Sequence, residues 1–108
     1  MPARGDCVEV DFDPTLGHEQ SGVRPALVLS EALYNSRTDL CVVCPITSQA
    51  KGYPFEVSLP KGLPKPSVVL VDQIKTIDWK SRTVKFLAKC PANAISEVEA
   101  KLRALLGL

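Results

Sequence analysis

The chain has little of what many catalytic centres use. One of its 108 residues is histidine, His18. The pair of imidazoles that cleaves RNA by acid and base catalysis therefore cannot form within one chain. Its carboxylates are not grouped as a two-metal nuclease requires, and no glycine-rich phosphate loop is present. No metal and no cofactor is expected. No apolar run approaches the ~20 residues that span a bilayer. The opening "MPARGDC" lacks the apolar centre of a signal peptide. The expected address is the cytoplasm, with no membrane partner. Aromatics make up 6% of the residues, which leaves little flat surface for stacking on bases.

What is present suits one small domain over residues 1–108, with one core and too few residues for two. Four cysteines occur, Cys7, Cys41, Cys44 and Cys90. The C-x-x-C of Cys41 and Cys44 lies in "LCVVCPI", which reads as a strand. Alternation then sends the two thiols to opposite faces, which disfavours a shared metal or a disulfide. All four read as buried, reduced, small apolar residues. The net charge of +1 hides an asymmetry. Residues 1–40 sum to −4 and residues 41–90 to +5. A basic half suits an anionic partner, although the lysines could equally be solvated loop charges.

Periodicity predicts a mainly β chain. "CVEVDF" alternates as a half-buried strand, with Val8, Val10 and Phe12 on the apolar face. A polar loop of about a dozen residues, Asp13 to Arg24, follows; loops that long are often functional. "PALVLS" is a central strand that tolerates Pro25 only at its start. "EALYNSRTD" is a helical turn or irregular connection. "LCVVCPI" is a strand stopped by Pro45, and Thr47–Pro54 is a second polar loop. "FEVSL" alternates, "PKGLPKPS" turns, and "VVLVDQIKTI" reads as one long strand. "TVKFLAKC" completes the strands. Ile95, Val98, Leu102, Leu105 and Leu106 then form one stripe of a C-terminal helix. Pro91 fits its first turn and Gly107 the residue past its end. The expected fold is a small SH3-like or OB-like barrel closed by that helix.

The two polar loops carry the candidate chemistry. The first holds Asp13, His18, Glu19, Gln20 and Arg24; the second holds Thr47, Ser48, Gln49 and Lys51. A planar guanidinium with hydroxyls and amides can hold and polarise a phosphodiester. Without grouped carboxylates, such a nuclease would rely on charge stabilisation by arginine. That route suits RNA, whose 2′-hydroxyl supplies the nucleophile. The same residues have plainer readings. Arg24 could pair with Asp72 or Glu19, Thr47 could be a turn residue after Pro45, and Gln73 an ordinary strand amide.

Three collinear segments decide for the first reading by resemblance. "GDCVEVDFDPTLGHEQSGVRPALVLS", "YNSRTDLCVVCPITSQAKGYPFEV" and "VVLVDQIKTIDW" resemble the MazF/PemK family of bacterial toxins. The resemblance implies the MazF/PemK/CcdB-type SH3-like barrel with a C-terminal α-helix, and a homodimer. It implies a toxin of a type II toxin–antitoxin system that inhibits translation and growth. The activity implied is sequence-specific, ribosome-independent cleavage of single-stranded RNA, leaving 2′,3′-cyclic phosphate and 5′-hydroxyl ends without metal. The nearest branch points to a motif containing A-C-A. Arg24 in "GVRP" matches the family's catalytic arginine, and Thr47 in "PITSQ" its catalytic threonine. Glu19 in "HEQ" matches an acidic position often needed for activity. Asp13, His18, Gln20, Ser48, Gln49, Lys51 and Gln73 fall where the family binds RNA. With few aromatics, hydrogen bonds from loops should dominate base reading. The implied partner is a MazE-like antitoxin with a disordered acidic segment. The competing reading is a non-catalytic barrel acting on a protein target, as in a related toxin family that binds DNA gyrase.

Overall fold

The structure, a computed structural model, describes residues 1–12, 22–59, 63 and 65–108. Seven strands and two helices follow in the order β1 (Asp6–Asp11), β2 (Val23–Val28), α1 (Ala32–Thr38), β3 (Leu40–Thr47), β4 (Glu56–Leu59), β5 (Ser67–Leu70), β6 (Lys75–Asp78), β7 (Val84–Lys89) and α2 (Ala92–Leu106). All described pairings are antiparallel, in the order β4-β5-β3-β2-β1-β7, with β6 also on β3. The mainly β barrel-like fold with a C-terminal helix is as expected. The described strands stop short of closure, with β4 and β7 as free edges.

The central strands are buried on both faces, which is why they read as near-continuous apolar runs. Alternation splits them between two cores. Cys7, Leu27, Leu29, Cys44 and Ile46 face α2, where they meet Ala94 and Val98. Val8, Val10, Phe12, Ala26, Val28, Cys41 and Val43 form the other core with Ile77. Cys41 and Cys44 thus point to opposite sides, and all four thiols are free and buried. Val98 is fully buried and by itself contributes about 1.5–3 kcal/mol to holding α2 down. Asn35 is the buried polar hub. Its side-chain amide donates to Pro2 O at 2.8 Å and Ser30 O at 3.1 Å, and its backbone carbonyl accepts from Trp79 Nε1 at 2.9 Å.

Three expectations are corrected. Pro45 does not stop β3, which runs on to Thr47. The Leu29 N–H bonds the Val42 carbonyl at 2.8 Å, so Cys44 faces β2 and the Pro45 nitrogen faces the other flank. On that flank Val43 pairs with Lys75 of β6 and Ile46 with Val69 of β5. Pro45 sits in the gap between these ladders, where no donor is needed. For the same reason "VVLVDQIKTI" is not one strand. Leu70 to Ile74 face only Cys44 and Pro45, so the chain bulges into a 3-10 turn at Val71–Gln73 and resumes as β6. Finally, Leu105 and Leu106 leave the apolar stripe and are exposed. The stripe packs through Ile95, Val98 and Leu102, after which α2 outruns the sheet. The residues "EALYNSRTD" form two turns of helix, ended by Asp39 at φ +61°.

Candidate active site

Arg24 lies inside β2, not at the end of the loop before it, because the strand begins at Val23. It pairs with Val10 of β1. On its other side the β2–β3 register runs Val28 with Val43, Leu27 with Cys44, and Ala26 with Pro45. There the ladder ends. Continued two further steps, that register would bring Arg24 opposite Thr47. The two chains no longer bond at this point, because Pro25 takes the place where β2 would next donate to β3. Pro25 thus ends the β2–β3 ladder, and a cavity of about 250 Å³ opens beyond it.

That cavity is lined by Arg24, Thr47 and Ser48, with Glu9, Lys65 and Ser67. Arg24 is exposed and charged at its rim. Thr47 is only 7% exposed. Its hydroxyl oxygen accepts the Gln49 N–H at 3.1 Å, which leaves the hydroxyl hydrogen as a donor. Thr47 also lines a second, adjoining cleft of about 510 Å³, with Gln49, Lys51, Tyr53, Asp72 and Gln73. Gln73 reaches that cleft from the 3-10 turn rather than from a strand face. Beneath the site, burial and the charge of Asp72 push the Cys44 thiol up to about 12.

All six described residues singled out in the sequence therefore line these two adjoining spaces: Arg24, Thr47, Ser48, Gln49, Lys51 and Gln73. Asp13, His18, Glu19 and Gln20 lie outside the described residues. Among the described residues no three His, Cys, Asp or Glu side chains form a metal-binding group. Two other clefts, of about 310 and 490 Å³, hold none of the residues singled out.

Several lining residues were not signalled as such, Glu9 and Tyr53 among them. Glu9 reads as one position of an alternating strand, and nothing local marks it as a cavity residue. Tyr53 carries a signal, since it stands between Gly52 and Pro54 in a polar loop where an aromatic has no core to join. It is 59% exposed, whereas Phe12 is 1% exposed.

The family described as PemK-like, MazF-like toxin of type II toxin–antitoxin system matches residues 3–106. The endoribonuclease toxin MazF of Escherichia coli K12 is 44% identical over 107 residues, covering 99% of this chain and 96% of that protein. The crystal structure of MazF from Deinococcus radiodurans superposes with a TM-score of 0.93 at 52% identity, covering 99% of this chain and 97% of that one. MazF in a MazE–MazF crystal structure from the same organism superposes with a TM-score of 0.86 at 48% identity, covering 99% and 96%.

Proposed function

The chain belongs to the PemK-like, MazF-like toxin family of type II toxin–antitoxin systems, and on that premise we propose that it is an endoribonuclease toxin whose centre is Arg24 and Thr47. One observation carries the placement of the centre. Two residues far apart in sequence, one on β2 and one on β3, line one cavity just past the point where Pro25 ends the ladder between their strands.

The reaction proposed is cleavage of single-stranded RNA at a short motif, in the nearest branch one containing A-C-A. The 2′-hydroxyl attacks the adjacent phosphorus, the P–O5′ bond breaks, the leaving 5′-oxygen takes a proton from water, and the products are a 2′,3′-cyclic phosphate and a 5′-hydroxyl. Arg24 stabilises charge building on the phosphate through its planar fork. A guanidinium does not give up its proton in a protein, so charge stabilisation is its role. Thr47 donates its hydroxyl hydrogen to a non-bridging oxygen. Glu19 or His18 takes the 2′-hydroxyl proton. Ser48, Gln49, Lys51 and Gln73 hold the strand, together with Asp13, His18 and Gln20. No metal enters this scheme.

The MazE–MazF complexes of its relatives support a cognate MazE-like antitoxin for this chain, with an acidic segment that covers the basic surface. A homodimer is proposed on the same family grounds. No described helix is long and apolar enough to cross a membrane. The test is cleavage of a long single-stranded RNA in EDTA by wild type and Arg24→Ala, with the cut ends mapped. Specific cuts ending in cyclic phosphate, and at least a hundredfold slower in the variant, are expected. Cutting by wild type only after metal is added would refute the metal-free scheme. Equal cutting by the variant would remove Arg24 from the centre.

A further inference from the structure

The second cleft contains a flat side chain that the scheme above leaves unused. We propose that Tyr53 is a stacking platform for one unpaired base of the RNA strand, next to the phosphate bound at Arg24 and Thr47; this rests on the endoribonuclease reading of the site. Exposed aromatic rings are common and mean little singly. Tyr53 differs in how it is held and in what surrounds it.

The turn that carries the ring is clasped from both sides. The Glu56 carboxylate accepts the Lys51 N–H at 3.1 Å and the Gly52 N–H at 2.9 Å, and the Glu56 N–H donates to Tyr53 O at 3.1 Å. Gly52 takes φ +77°, a conformation that L side chains rarely adopt. From helix α2, Lys101 Nζ donates to Pro54 O and, at 3.1 Å, to Glu56 O. The backbone is thus fixed while the ring stays 59% exposed. A platform needs that combination, because little ordering entropy remains to be lost on binding.

The surroundings suit a nucleotide. Thr47 lines both spaces, so a strand whose phosphate sits in the first cavity passes directly into the second. Gln49 and Gln73 bring amides that can bond base edges, and Lys51 Nζ lies over the ring, 6.0 Å from its centroid, so a stacking base takes the other face or displaces this flexible side chain toward a backbone phosphate. The other exposed aromatics, Tyr34 and Phe86, line neither space. Base reading is therefore not left to hydrogen bonds alone.

The test compares wild type, Tyr53→Phe and Tyr53→Ala on a short oligoribonucleotide carrying one mapped cleavage site, and on versions with one abasic residue at each flanking position. Tyr53→Ala should raise KM about 5- to 100-fold with kcat retained, and Tyr53→Phe should stay near wild type. At one flanking position the abasic residue should cost wild type as much as Tyr53→Ala does, and cost Tyr53→Ala nothing more. An unchanged KM for Tyr53→Ala, or additive losses at every position, would overturn the platform. Anisotropy with a labelled 2′-O-methyl oligonucleotide separates this from the underlying reading. If wild type binds but does not cleave RNA, the endoribonuclease reading fails, and equal binding by Tyr53→Ala is then still the result that defeats the platform. If wild type does not bind at all, both fail.

Discussion

Replacing Thr47 by valine separates the two roles its hydroxyl is given. Valine keeps the branched shape at the end of β3, opposite Val68 of β5, and removes one oxygen. That oxygen accepts the Gln49 N–H at 3.1 Å in a part-buried position. Losing one such bond costs about 0.5–1.5 kcal/mol, and water can reach the freed N–H. The urea midpoint should fall slightly, with the fold intact. The catalytic loss should be much larger. A lost donor to a transition-state oxyanion costs roughly 10²–10³ in kcat. Thr47→Ser restores the oxygen and should recover most of both. The assay is kcat at saturating RNA for the three proteins, normalised to the folded fraction from urea unfolding. A Thr47→Val protein within about tenfold of wild-type kcat, with a lowered midpoint, would refute the reasoning. Thr47 would then be only the residue that closes the turn after Pro45.

Two further outcomes follow from the packing. Burial pushes the Cys41 thiol up to about 11, and burial with the Asp72 charge pushes Cys44 up to about 12, from an ordinary 9.0. The neutral forms are favoured in the fold, so this stability is full below pH 9 and falls as pH rises toward 11, by about 1.4 kcal/mol per pH unit for each thiol. Urea unfolding under reducing conditions should show a slope between pH 9 and 11 that is shallower by about that amount in Cys44→Ala; an unchanged slope would contradict it. Gly5 has φ +90°, and a Cβ there would meet Ile95 Cδ1 at 3.1 Å. Gly5→Ala should cost about 1–2 kcal/mol from the backbone, read as a lower urea midpoint; a midpoint equal to wild type would show that the turn relaxes freely.

Gly5 and Asp6 also show why a recognisable motif is not the same as a site. They open the segment that carries the family resemblance, yet their work is structural. The Gly5 N–H bonds Val28 O at 2.9 Å and its carbonyl accepts the Cys90 N–H at 2.8 Å. Asp6 is buried, bonds the Ala3 N–H at 3.0 Å and pairs with Lys89 at 2.5 Å. Together they tie the start of β1 to β2 and to the end of β7. Arg24 and Thr47 come from the interior of the same resembling segments, and nothing in their immediate neighbours separates them from these structural positions. Glu9 was illegible for a related reason. Its alternation with Val8 and Val10 marks a strand face, and only the neighbouring strands decide what that face borders.

Residue types and their periods, which are local properties, determined where most of the strands would lie, that the tail would be a helix ended at Gly107, and that Cys41 and Cys44 would face apart. The family's motifs, also read along the chain, supplied the function and the candidate residues. What the tertiary structure decided is everything that depends on register between strands. Pro45, read alone, looks like the end of a strand. Placed where β3 changes partners, it lets β3 continue while the facing chain bulges and carries Gln73 into the cleft. Pro25 ends the β2–β3 ladder, and only the pairing of those two strands brings Arg24 and Thr47 to one cavity. The missing N–H of a proline is written in the sequence, but the ladder it interrupts exists only after the strands have paired.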